Sequence, residues 1–104
     1  MVKTQDRFTV PNAQAELIER AWIGHAVLTV WARLKILRDD GRLDGGKCTR
    51  MTSNQFLSAI GELTKVEAGI GTVYLTEGID AAFSYIERNL LPVFERQELN
   101  RTGK

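Results

Sequence analysis

The amino-acid sequence predicts an all-α protein, and three observations carry that expectation. Apolar residues recur at helical spacing through most of the chain. Capping residues stand in front of several of those segments. No stretch shows the convincing apolar–polar alternation of a strand.

The elements follow in order. Residues 1–12 read as an N-terminal extended segment, because Pro11 biases Val10 away from helical angles. Asn12 is a good N-cap for a long helix over residues 13–38, which Gly41 ends in a left-handed C-terminal position. Gly45 and Gly46 mark residues 41–48 as a mobile loop. Thr52 and Gln55 have capping-box spacing, which starts a second helix at Ser53 carrying Phe56, Leu57 and Ile60, weakened at Gly61. Thr64 and Glu67 repeat that spacing and place a third helix from Lys65 through Val66, Ile70, Val73 and Tyr74, with a break at Thr76, Glu77 and Gly78. Ile79, Ala82, Phe83, Ile86, Leu90, Val93 and Phe94 give the cleanest helical repeat, and Pro92 should kink that helix or end its first part. The helical domain is expected over residues 13–97, with a polar tail over 98–104.

The first helix is apolar on more sides than a surface helix needs. Ile23, Val27, Val30, Leu34 and Leu37 form one stripe, and Leu17, Ala21, Gly24, Leu28 and Trp31 form another. Ile18, Trp22, Thr29 and Ile36 fill much of the rest. The other helices are few and short, so full cover calls for a partner chain, and a homodimer is expected. Trp22 and Trp31 lie on different faces and read as core or interface residues rather than base-stacking platforms.

Bulk properties set further bounds. A chain of 104 residues with 43% apolar and 26% charged residues is one ordinary globular domain. A net charge of +1 gives no general drive towards nucleic acid or anionic membrane. The one cysteine, Cys48, excludes an intrachain disulfide and fits a reducing compartment. Residues 1–10 lack the apolar core of a signal peptide, and no uncharged apolar run reaches the roughly 20 residues that span a bilayer. A cytoplasmic location without membrane contact is expected. No phosphate-binding glycine loop, zinc spacing or nucleophile–histidine–acid set stands out, so no residue is assigned as catalytic.

A pattern across three segments does carry information. Residues 17–28, L-I-E-R-A-W-I-G-H-A-V-L, resemble the signature helix of the ribonuclease III family, N-E-R-L-E-F-L-G-D-A-V-L. Thr49 and Arg50, then Ser53 to Leu57, are similar to the family's following L-T-R and V-S-N-x-x-L stretches. Residues 66–75, V-E-A-G-I-G-T-V-Y-L, with E-G-I-D-A-A over 77–82, resemble F-E-A-L-I-G-A-I-Y-L-D-x-G-L-E-A-A, and the match runs on to Pro92. The resemblance implies a shortened ribonuclease III-like helical bundle around a central apolar signature helix, and it implies dimers.

The family's chemistry is two-metal hydrolysis of double-stranded RNA, in which carboxylates hold Mg²⁺. The resemblance places its four metal ligands at Ala21, His25, Thr64 and Glu67, of which only Glu67 is acidic; a further family acid falls at Ile18. Alanine offers no donor atom, threonine a neutral hydroxyl, and imidazole prefers softer metals than Mg²⁺. No cofactor is therefore expected, and Mg²⁺ or Mn²⁺ enters only if His25 and Glu67 form a rebuilt site. The connection between Leu57 and Glu67 is also shorter than the family's, and a double-stranded-RNA-binding domain is not expected to follow.

Each singled-out residue has a plainer reading. His25 reads as a packed, hydrogen-bonded side chain before a Zn²⁺ or Mn²⁺ ligand. Glu67 reads as the capping-box partner of Thr64 before a ligand. Gly24 and Gly71 suit a close helix–helix approach. Arg42, Lys47 and Arg50, with Lys35 and Arg38, make the first loop basic, but Asp39, Asp40 and Asp44 offset them; a solvated loop is the plainer reading and RNA phosphate contact the sharper one. Three functions follow: a ribonuclease III-like module that has lost cleavage, a metal-dependent ribonuclease with a rebuilt His/Glu site, and a helical dimer with no RNA role. Double-stranded or otherwise structured RNA is the partner that the first two imply.

Overall fold

The computed structural model describes residues 13–102, and these form six helices without a strand. They are α1 (Ala13–Asp40), α2 (Gly45–Thr52), α3 (Asn54–Ser58), α4 (Leu63–Glu77), α5 (Ile79–Asn89) and α6 (Leu91–Thr102). The extended lead-in and the Asn12 cap lie outside the described residues.

Local chemistry explains most of the boundaries. Gly41 takes φ 74°, and its N–H donates to the Leu37 carbonyl at 3.1 Å, closing α1 as its glycine allows. Gly78, at φ 98°, breaks the chain between α4 and α5. The interruption near Pro92 falls at Leu90, so that the proline occupies the first turn of α6, where its missing N–H leaves no hydrogen bond unmade. That last helix continues through residues 98–102, the stretch expected to be a polar tail.

Three further boundaries differ from the sequence reading. Residues 41–48 are not wholly loop, because Asp44 accepts the Lys47 N–H at 3.0 Å and starts α2 at Gly45. Glycine weakens a helix interior, but a strong N-cap outweighs it in the first turn. Thr52 is not a cap; it ends α2 with its hydroxyl donating to the Cys48 carbonyl, and Ser53 caps α3 by accepting the Phe56 N–H at 3.1 Å. Thr64 and Glu67 do not form a capping box. Glu62 reaches the Lys65 N–H instead, at 3.1 Å, so α4 starts at Leu63 and Thr64 lies inside its first turn.

The core forms where α1, α4 and α5 meet, closed by Met51 of α2, Phe56 and Leu57 of α3 and Phe94 of α6. Leu28, Met51, Leu57, Ile70, Ile86 and Leu90 are its largest fully buried side chains, each contributing roughly 1.5–3 kcal/mol. Phe56 and Phe94 meet edge to face, with centroids 5.6 Å apart.

Within one chain α1 is covered on one side only. Ala21, Gly24, Leu28, Trp31 and Ile36 are buried, whereas Ile18, Trp22, Val30, Leu34 and Leu37 are exposed. Trp31 is therefore a core residue, its indole N–H donating to Glu87 at 3.2 Å, and Trp22 is not. No helix among the described residues is long and apolar enough to cross a membrane.

Candidate functional site

The site grows from a point where two helices touch backbone to backbone. A Cβ on Gly24 of α1 would fall on the Glu67 carbonyl oxygen, and a Cβ on Gly71 of α4 would fall on the Arg20 carbonyl oxygen. Two glycines at matching places let the helices approach this closely, as the sequence suggested. The crossing carries His25, next to Gly24, against Glu67, one turn before Gly71.

His25 Nδ1 lies 2.6 Å from Glu67 Oε2. An ionised carboxylate only accepts, so Nδ1 carries the proton and donates, and Nε2 is the nitrogen left for other partners. The Glu67 side chain is 14% exposed and that of His25 51%, so the acid stands inside and the imidazole at the surface. His25 is thus hydrogen-bonded but not packed away, and Glu67 serves the helix crossing rather than a cap. Beside them, Thr29 donates to the His25 carbonyl at 2.9 Å, and Arg20 donates to the Thr72 hydroxyl at 3.1 Å.

Ala21 is buried against this crossing and presents only a methyl group. Thr64 is half-buried, one turn before Ala68. Among the described residues no group of three or more His, Cys, Asp or Glu side chains converges as a metal site would require. The set Ala21, His25, Thr64 and Glu67 therefore does not fit a pair of Mg²⁺ ions, which need several carboxylate oxygens in near-octahedral geometry.

The basic residues are mostly committed elsewhere. Lys47 pairs with Asp40 at 3.1 Å, and Lys35 pairs with Asp39 at 2.6 Å. Arg50 makes two hydrogen bonds to Glu98, of 2.9 and 3.1 Å, which Arg101 joins at 3.4 Å. The Arg50 bond, with a smaller contribution from Arg101, holds the Glu98 carboxyl below its ordinary pKa despite the opposing effect of burial. Of the three RNA-contact candidates, Arg42 alone is exposed without an ion pair among the described residues.

Two open grooves flank His25. One, of about 570 Å³, runs between α1 and α2 past Thr29, Arg33 and Cys48. The other, of about 490 Å³, is almost wholly apolar, lined by Trp22, Ala26, Val30, Tyr74 and Ile79. Sequence reasoning gave the first groove no shape, because the first half of α2 was read as loop. No protein-family model, curated protein or solved structure matches the chain.

Proposed function

We propose that the chain is a ribonuclease III-like domain that has lost metal-dependent cleavage of double-stranded RNA and works, as a pair of identical chains, as a binding or assembly module. The observation that carries this reading is the His25–Glu67 bond. Of the four positions that the resemblance assigns to metal ligands, only Glu67 is an acid, and the imidazole already occupies it. The backbone contact at Gly24 and Gly71 supports the family resemblance, since both glycines lie in the matching segments. The apolar side of α1 left bare within one chain supports the pair.

Incubation of the purified protein with double-stranded RNA in Mg²⁺ tests it. The expected result is uncleaved RNA; cleavage that Glu67→Ala abolishes would overturn the reading. A second reading, a rebuilt Mn²⁺ or Zn²⁺ site, draws on the same convergence of one nitrogen and one oxygen donor. Calorimetric uptake of Mn²⁺ or Zn²⁺ that disappears in His25→Ala would favour it. Fluorescence titration with labelled double-stranded RNA separates the third reading, a helical dimer that binds none.

A further inference from the structure

The groove between α1 and α2 has two unlike ends. Asp40 and Lys47 pair across the turn between these helices, so α2 returns along α1. Thr29, Arg33 and Leu37 recur every four residues on α1, and Gly45, Cys48 and Thr52 at three and four on α2. Each wall is therefore one face of its helix. Near the turn the groove is lined by Ile36, Leu37 and Leu43, and Leu43 is 81% exposed. Away from the turn stand Thr29, Arg33, Thr49 and Thr52, with His25 at the far end.

Arg33 is the cation that this region leaves over. Lys35, Lys47 and Arg50 are held by Asp39, Asp40 and Glu98. Arg33 has neither an ion pair nor a hydrogen bond among the described residues, and no acid stands three or four residues from it on α1. The Thr49 hydroxyl is likewise unbonded among the described residues. Long side chains on a helix lean towards its N-terminus, so the guanidinium reaches towards Thr29 and away from the leucines. The acid in the lining, Asp44, stands at the apolar end, its carboxylate accepting the Lys47 N–H. An anionic group is attracted at one end of the groove and repelled at the other.

We propose that this groove binds a small amphiphilic monoanion, a medium-chain carboxylate, with its head on Arg33 and Thr49 and its hydrocarbon chain over Ile36, Leu37 and Leu43. This goes beyond the binding or assembly role proposed above and does not depend on it. A guanidinium and a hydroxyl suit a carboxylate, whose oxygens only accept. A second anionic group along the chain would meet Asp44, which selects a monoanion. The volume of about 570 Å³ lies within the roughly 300–1,000 Å³ of small-molecule sites. From Thr29 to Leu37 the helix rises about 12 Å, room for a carboxylate on a chain of roughly eight carbons. The other groove beside His25, of about 490 Å³, has no lysine or arginine in its lining and offers the head no partner.

Calorimetric titration of the whole chain with octanoate, and with octanol as its uncharged counterpart, tests the proposal. Octanoate is expected to saturate at one molecule per chain and to bind about tenfold more tightly than octanol. Arg33→Gln should remove that advantage, weakening octanoate about tenfold and leaving octanol unchanged. Leu43→Asn should weaken both alike. Bound octanoate should also slow alkylation of the half-buried Cys48 by N-ethylmaleimide, an effect that Arg33→Gln lifts at the same concentration. Arg33 and Leu43 are exposed and neither packs on the core, and circular dichroism checks the folding of both variants. No saturable uptake, octanol binding as tightly as octanoate, or indifference to Arg33→Gln overturns the proposal. So does loss of binding in Trp22→Ala, which would place the ligand in the other groove. Displacement of octanoate by double-stranded RNA overturns it too, since Arg33 would then serve phosphate contact.

Discussion

Gly24 and Gly71 leave no space between α1 and α4, and the carbonyls of Glu67 and Arg20 occupy what would be their Cβ positions. Neither obstacle is a side-chain tip that could swing aside. Gly24→Ala therefore forces the helices apart and loosens the pairing of His25 with Glu67. Alanine's better helix propensity returns about 1 kcal/mol, against an overpacking loss of typically 1–3 kcal/mol or more at a site this rigid. A net destabilisation of roughly 2 kcal/mol is expected in urea unfolding. Gly41→Ala is the contrast: nothing stands near that position, and only its φ of 74° resists, at about 1–2 kcal/mol.

The Arg50–Glu98 pair ties α2 to α6 and makes stability depend on pH. Its hydrogen bond lowers the Glu98 pKa in the folded state, so the unfolded chain binds that proton more readily. The contribution is complete above the ordinary carboxyl value of 4.5 and fades as the pH falls through the lower, folded value. Both side chains are partly exposed, so the pair is worth about 1 kcal/mol or less at neutral pH. Arg50→Ala should lower the urea midpoint at pH 7, with the difference from the parent chain shrinking as the pH falls below 4.5 and through the lower, folded value. An undiminished difference at acid pH would show that Arg50 acts through packing instead.

Leu57 gives a separate measure of how the short helices contribute. It is fully buried although α3 has only five residues. Leu57→Ala should cost about 2–5 kcal/mol, the range for a buried leucine that leaves a cavity. A loss below about 1 kcal/mol, read from urea unfolding, would mean that α3 is only loosely seated on α1 and α4.

What the sequence disclosed depends on the range of each signal. Gly41 and Gly78 mark their breaks through their own backbone freedom, so the ends of α1 and α4 were legible. The close approach at Gly24 and Gly71 was legible through small residues in matching segments. The start of α4 was not, because Thr64 and Glu67 fit a capping box as well as Glu62 fits a cap that glutamate seldom supplies. Arg50 and Glu98 are 48 residues apart and carry no local sign of their pairing. Helical projection likewise showed that α1 is apolar on several sides, but not that the short helices would choose the side of Leu28 and leave Trp22 bare.

His25 is the only histidine in the chain, so its imidazole can be followed by ¹⁵N NMR without assignment. The geometry fixes the proton of the neutral ring on Nδ1, facing Glu67 at 2.6 Å. The ¹⁵N shifts should accordingly report Nδ1 as the nitrogen that carries the proton whenever the ring holds only one, and Glu67→Ala should abolish that preference. Stability should change little, by about 1 kcal/mol or less, because half of the imidazole is in solvent. A ring that keeps its proton on Nδ1 without Glu67 would mean that another acceptor orients it, and the bond between α1 and α4 would lose its place at the centre of the site.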